Sequence, residues 1–383
     1  MRKICVIITA RPSYSRFKTA LLAIKNHPQL ELQLVVAASA LLDRFGSTIN
    51  YIEADGFEIS EKVYMVIEGS NLASAAKTTG IGIIELATAF DNLKPDMVCT
   101  IGDRYETMST AIAASYMNIP LVHIQGGEVT GNIDEKVRHA VSKLSDLHLV
   151  SNLDAKERLV KMGEHPESIH ITGCPSIDIA MKANQSMPLD FDPCEKYGGV
   201  GPHISVDQPY LVVMQHPVTT EHNQSKQQAE TLLQAIHQTG MPVFWFWPNP
   251  DAGSDGTSSA LRTYREEHPN APIRFFKNLE GVDFLKVLKQ SKCLIGNSSV
   301  GIRECAYLGV PVVNIGTRQN RRLRGSNVID VENDITAIQT AIQTQIIHGA
   351  YASENIYGQG NAGQAIAEVI AKAQVNIKKV INY

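Results

Sequence analysis

Residues 294–316 read LIGNSSVGIRECAYLGVPVVNIG. An apolar run ends at Gly296-Asn297, two serines follow, a helix is expected to start there, and a second β-branched run occupies Val312–Asn314. Buried strand, tight turn, crossover helix and next strand make up the repeating element of a parallel α/β sheet. The turn also has chemical interest. Two hydroxyls on a glycine-flanked turn, backed by helix amides that have no partner within the helix, form a good seat for an anion. The same residues equally suit an ordinary helix cap, where Ser and Asn satisfy those amides.

Outward from this unit the same alternation runs along most of the chain. Strands are expected at Ile4–Thr9, Gln33–Ala37, Met97–Thr100, Leu121–Ile124, Leu147–Val150 and His170–Ile171. After a stretch rich in Pro, Gly and Asp, they resume at Tyr210–Gln215, Val243–Trp247, Ile273–Phe275, Cys293–Ile295, Val312–Asn314 and Val328–Ile329. The expected organisation is an N-terminal α/β domain over 1–185, a linker over 186–209 and a second α/β domain over 210–361. A closing helix is expected from Ala362 to Val380 within 362–383.

Bulk properties narrow the classes. At 383 residues, 44% of them hydrophobic, the chain can bury two cores. A formal charge of −4 and the absence of any basic run speak against nucleic acid as a partner. Cys5, Cys99, Cys174, Cys194, Cys293 and Cys305 form no CxxC pair and read as reduced core thiols. The opening MRKICVIITARPS lacks the small-residue cleavage site of a signal peptide, and no apolar segment has membrane-spanning length. A soluble cytoplasmic protein without membrane partners is expected.

Open α/β sheets bind ligands beyond the carboxyl ends of their strands, so the residues after each strand matter most. Arg11 and Ser15 follow the first strand, Asp103 and Arg104 the GDR turn, and Gln125, Glu128, Asp134 and Arg138 lie in HIQGGEVTGNIDEKVRHA. In the second half His216 follows LVVMQ, Asn249 lies in WPNPDAGS, and Ser298 and Ser299 follow CLIGN, with Glu304 one turn further on. Each residue has a plainer alternative. Asp134 and Arg138 have the spacing of a surface pair on one helix face, Glu304 can be a solvated carboxylate, and Phe284 can be core filling. There is no GK[ST] loop and no GxGxxG after the first strand, which disfavours ATP and nicotinamide chemistry. His216 and His222 lack metal-ligand spacing, so no metal is expected.

These blocks in order, RPSYS, LKPDMVCTIGDR, HIQGGEVTGNIDEKVRHA, GCPS, QHPVTTE, WPNPDAGS, IGNSSVGIRE, GTRQ and IYGQGNA, resemble the hydrolysing UDP-N-acetylglucosamine 2-epimerases of the sialic-acid pathway. The group includes the epimerase domain of the bifunctional animal enzyme. The resemblance implies a glycosyltransferase-B-like fold, two Rossmann-like domains with parallel sheets facing a cleft, and a last helix returning to the first domain. It implies a UDP-sugar substrate, no cofactor, and a homodimer or homotetramer.

By the same resemblance Ser298 and Ser299 hold the diphosphate, assisted by Arg11, Ser15 and Arg318, while Glu304 holds the ribose and Phe284 borders the uracil. Asp103, Asp134 and His216 match catalytic positions, and Arg104, Arg138 and Asn249 match substrate-contacting ones. The implied reaction eliminates UDP from UDP-N-acetylglucosamine and hydrates the resulting glycal to N-acetylmannosamine. One position departs from the group. Where several members carry a catalytic Glu after His-Ile, this chain has Gln125, which leaves that role dispensable or moved to Glu128. This departure, like the RPSYS block, lies on the sugar side and leaves open UDP-2,4-diacetamido-2,4,6-trideoxyglucose as the substrate. More distant alternatives are a glycosyltransferase of the same fold and a non-hydrolysing epimerase.

Overall fold

The computed structural model describes residues 1–43, 46–68, 72–130, 134–248 and 253–382. The chain divides into two compact units: Met1–Glu128 with Ile133–Asp178 and Tyr357–Tyr383, and Val129–Asn132 with Ile179–Ile356.

Unit 1 is built on seven parallel strands: β1 (Arg2–Ile8), β2 (Leu30–Ala37), β3 (Glu61–Val63), β4 (Met97–Ile101), β5 (Leu121–Ile124), β6 (Leu147–Val150) and β7 (Ile169–Ile171), in the order β3-β2-β1-β4-β5-β6-β7. Side chains of β1 alternate between two cores. Ile4, Val6 and Ile8 pack with Phe17, Leu21 and Ile24, while Cys5 and Ile7 pack with Leu86, Phe90 and Ala111 on the other face. Burial on both faces explains why these strands read as continuous apolar runs. Beyond the expected six strands there is a seventh, β3, whose three residues EKV are too few to show a period.

Helix α1 (Arg11–Asn26) follows β1, and a late helix, Ala362–Lys372, lies against it. Asp178 accepts hydrogen bonds from Ala362 N (2.8 Å), Gly363 N (2.7 Å) and Thr19 Oγ1 (2.8 Å), joining the two helices. A Cβ at Gly363 would collide with the Thr19 and Ala20 backbone, so the close approach requires glycine. The expected helix to Val380 stops at Lys372. Ala373 turns extended (φ −61°, ψ 130°), and the tail instead bonds to the body of unit 1 through Lys379 and Asn382.

Unit 2 has six parallel strands: β8 (Leu211–Met214), β9 (Val243–Phe246), β10 (Ile273–Phe276), β11 (Cys293–Gly296), β12 (Val312–Ile315) and β13 (Val328–Val331), ordered β10-β9-β8-β11-β12-β13. Trp245, Leu232 and Ile342 fill one face, and Tyr210, Phe244, Phe276 and Leu288 the other. Residues 186–209 contain a short helix, Pro193–Tyr197, and Cys194 and Ile204 join this second core. All six cysteines are buried. No helix among the described residues is long and apolar enough to cross a membrane.

In each sheet the strand order reverses once, between β1 and β4 and between β8 and β11. These are the topological switch points at which open α/β sheets bind their ligands.

Candidate active site

Of the residues singled out in the sequence, Arg11, Asp103 and Arg104 follow β1 and β4 at one of these points, and His216, Ser298 and Ser299 follow β8 and β11 at the other. In unit 1, β4 runs into Gly102-Asp103-Arg104 and β1 into Arg11. Asp103 is nearly buried and forms an ion pair with Arg138, whose guanidinium is 1% exposed. Arg138 lies in the middle of α5 (Asp134–Leu144), whose first residue is Asp134, so one helix carries both groups. Arg104 donates from Nε and Nη2 to the two carboxylate oxygens of fully buried Glu106, at 3.2 Å each. Arg11 opens α1 with its guanidinium 4.8 Å from the Tyr51 ring centroid, and Ser15 is half-buried one turn on. The first turn of α1 holds no acidic residue, which suits an anion there.

His123 was not singled out in the sequence, where LVHI reads only as a buried strand. Its Nε2 lies 2.8 Å from the Gly102 carbonyl and its Nδ1 3.0 Å from Ser142 Oγ on α5. A carbonyl only accepts, so Nε2 carries the proton and Nδ1 accepts from the serine. Burial pulls the His123 pKa down to about 4, so the ring is neutral and acts as a brace between the GDR turn and α5.

After β5, Gln125 takes φ 63° and is 1% exposed. Its Nε2 donates to Cys174 Sγ at 2.9 Å, Cys174 Sγ lies 3.0 Å from Ser176 Oγ, and Gln125 Oε1 is buried without a hydrogen-bond partner. Glu128, also buried, accepts from Ser151 Oγ at 2.8 Å.

In unit 2 the decisive residue is Asn297. Its Oδ1 accepts from His216 N and its Nδ2 donates to the His216 carbonyl, both at 2.8 Å, so the ends of β8 and β11 are tied by one amide. Its own carbonyl accepts from Gln319 Nε2 (2.8 Å) and Arg318 Nη1 (3.2 Å). The fold allows this because Gly296 takes φ 130°, where a Cβ would strike the Met214 carbonyl. Ser298 caps the short helix Ser299–Ile302, accepting from Val300 N at a long 3.4 Å. The capping alternative weighed from the sequence is therefore realised for Ser298, and half-buried Ser299 is the first residue of that helix.

Glu304 opens the next short helix, Glu304–Leu308, with Oε2 buried and without a hydrogen-bond partner. Phe284, half-buried on the helix Gly281–Gln290, stands edge-on to Phe246 with centroids 5.0 Å apart. Asn249 lies outside the described residues. Asn297, named in the sequence only as part of the turn, and Gln319 and Arg322, in or just after GTRQ, are not among the expected site residues. Arg322 donates from Nη1 to Gln319 Oε1 at 3.0 Å, extending the chain of bonds that begins at Asn297.

Among the described residues one group has metal-ligand chemistry, Asp192, Cys194 and His203, whose ligand atoms lie within 4.8 Å of one another. Asp192 there already caps the helix Pro193–Tyr197 and bonds to His203 Nε2 at 2.8 Å.

The family model for UDP-N-acetylglucosamine 2-epimerase matches residues 22–371. A UDP-N,N'-diacetylbacillosamine 2-epimerase (hydrolyzing) of Legionella pneumophila is 33% identical over 370 residues, 97% of this chain and 96% of that protein. A UDP-N-acetylglucosamine 2-epimerase of Neisseria meningitidis serogroup B is 32% identical over 97% of this chain and 95% of its own. The fold is similar to the crystal structure of Methanocaldococcus jannaschii UDP-GlcNAc 2-epimerase in complex with UDP-GlcNAc and UDP. That match has a TM-score of 0.80 at 15% identity and covers 97% of this chain and all of that one.

Proposed function

The chain belongs to the UDP-N-acetylglucosamine 2-epimerase family, and from that premise we propose that it is the hydrolysing enzyme, converting UDP-N-acetylglucosamine and water to N-acetylmannosamine and UDP. The observation that carries the reading is the placement of two complementary residue sets at the two switch points: carboxylates and arginines after β4, hydroxyls and amides after β11.

The reaction demands both sets. The proton on C2 is weakly acidic, and its removal becomes feasible as the C1–O bond breaks and UDP departs, leaving a C1–C2 double bond. Donors on the diphosphate stabilise the charge that develops on the leaving group. Ser298, Ser299 and Arg318, assisted by Arg11 and Ser15, take that part, with Glu304 on the ribose and Phe284 beside the base. Water then adds its oxygen to C1 and a proton returns to C2 from the opposite face, giving the free 2-epimer. A carboxylate must take the first proton and a second acid/base must serve the hydration. Asp103 and Asp134 are the working pair, Glu128 stands available where Gln125 has no proton to exchange, and His216 serves the leaving diphosphate. Arg104 and Arg138 contact the sugar. No metal or redox cofactor enters these steps. We also assign it to the cytoplasm as a homodimer or homotetramer supplying sialic-acid synthesis.

A second reading of the substrate is favoured by Gln125, a buried amide with an open acceptor where several members carry a carboxylate. On this reading the sugar is the 2,4-diacetamido-2,4,6-trideoxy analogue, in line with the name of the Legionella relative. Proton NMR in deuterated water separates the two. Free N-acetylmannosamine deuterated at C2, appearing with UDP, establishes the first reading, and turnover of the diacetamido substrate alone establishes the second. Intact substrate in both tubes refutes the epimerase assignment.

A further inference from the structure

α5, the helix that bears Asp134 and Arg138, is held at its far end by the C-terminal tail. Lys379 Nζ donates to the carbonyls of Ser142 (3.2 Å), Lys143 (2.8 Å) and Ser145 (2.6 Å), in and just beyond the last turn of that helix, where the last carbonyls run out of intrahelical donors. A cation at this position also complements the negative end of the helix dipole. The same ammonium lies 2.5 Å from Glu164 Oε2, and Glu164 is 1% exposed. Glu164 in turn holds Lys143 Nζ (2.6 Å) and His148 Nε2 (2.9 Å), so the ammonium is fixed from below by a buried carboxylate. Asn382 N, bonded to the Gly163 carbonyl at 3.0 Å, and Ile381, packed beside Gly163, keep the tail seated.

Three restraints thus act along one 11-residue helix: Arg138 on Asp103, Ser142 on His123, and Lys379 on the last carbonyls. We propose that Lys379 is a positioning residue, and that through it the tail keeps α5, the helix that carries Asp134, in the register that sets Arg138 against Asp103. The inference rests on the epimerase reading and adds a control point that touches neither substrate nor nucleotide. Its consequence is asymmetric. The nucleotide residues Ser298, Ser299 and Glu304 belong to unit 2, and Arg11 and Ser15 lie on α1 rather than α5, so displacing α5 slows proton transfer and leaves UDP affinity alone.

The test compares wild type, Lys379→Met and Lys379→Arg in release of C2-deuterated sugar, with UDP binding followed by calorimetry. Lys379→Met should lower kcat by about tenfold or more, since misplacing reacting groups by about 1 Å can cost roughly a hundredfold. The dissociation constant for UDP should stay within about twofold, and Lys379→Arg should restore most of the rate, because an arginine can also cap the carbonyls. An unchanged kcat in Lys379→Met, an equal loss of UDP affinity, or no recovery in Lys379→Arg overturns the proposal.

If Lys379→Met does not fold, Ile381→Ser loosens the tail while keeping the lysine. A lower kcat with retained UDP affinity then supports the proposal, and wild-type kcat overturns it. If the wild type turns over neither sugar, the epimerase reading fails by itself. Hydrogen exchange then decides the structural part: faster exchange of the α5 amides in the tail variants supports the restraint, and unchanged protection ends it.

Discussion

Asn297 offers the sharpest test of how unit 2 builds its turn. The side chain is buried and spends its oxygen on His216 N and its nitrogen on the His216 carbonyl. Asn297→Ala removes both of these hydrogen bonds from the buried His216 backbone. Losing a partner at a buried polar group costs about 1–3 kcal/mol, so the variant should lose about 2–6 kcal/mol of stability. At the lower end, with about 2–4 °C per kcal/mol for a unit of this size, the unfolding midpoint should fall by about 4–8 °C. Ser298 and Ser299 follow Asn297 directly, so UDP affinity should drop by about tenfold, equivalent to about 1.4 kcal/mol. Thermal unfolding and calorimetry with UDP read the two effects. A stability within about 0.5 kcal/mol of wild type, the range of an ordinary surface substitution, would refute the claim that this amide ties β8 to β11.

Acid should weaken unit 1 through His123. Its folded pKa of about 4 lies below the ordinary 6.5, so the unfolded chain binds the extra proton first, and stability is lost as pH falls from 6.5 towards 4. The full depression is worth about 3 kcal/mol. Denaturant titrations at pH 7 and pH 4.5 should show a smaller pH difference in His123→Gln than in wild type, and equal differences would show that the buried ring is not the source. The two residue sets should also separate kinetically. Asp103→Asn should abolish sugar release while UDP still binds, whereas Ser298→Ala combined with Ser299→Ala should weaken UDP binding; calorimetry giving the reverse pattern would exchange the assigned roles.

Most of the scaffold is legible in the sequence. Parallel strands buried on both faces must be apolar throughout, and the twelve runs expected from that property all correspond to strands. What escaped notice depends on distant partners. β3 is too short for periodicity, and the chain around and beyond Lys372 is held by distant partners: Arg2 Nη1 donates to the Ile370 (2.5 Å) and Ala373 (2.9 Å) carbonyls, and Lys379 donates to carbonyls at the end of α5 more than two hundred residues earlier in the chain. Several of the polar residues noted after the strands lie in the loops beyond β1, β4, β8 and β11, next to the points where the strand order reverses. The connections inside those loops were not visible. Arg138 was read as a helix-face neighbour of Asp134, whereas the fold directs it to Asp103, and His123 looked like strand filling until its two nitrogens found Gly102 and Ser142.

The return of the chain from unit 2 to unit 1 has a consequence for biogenesis. Ile366 and Ile370 complete the core around Phe17, Leu21 and Ile24, yet they leave the ribosome only after the whole of Ile179–Ile356. At about 5–20 residues per second, those roughly 180 residues take about 10–35 s to synthesise, and throughout that interval the nascent first unit presents an uncovered apolar helix. Residues 1–178 by themselves should therefore be a client for chaperones and an aggregation-prone fragment, and the last step of folding in the N-terminal unit waits until Ile366 and Ile370 have been made.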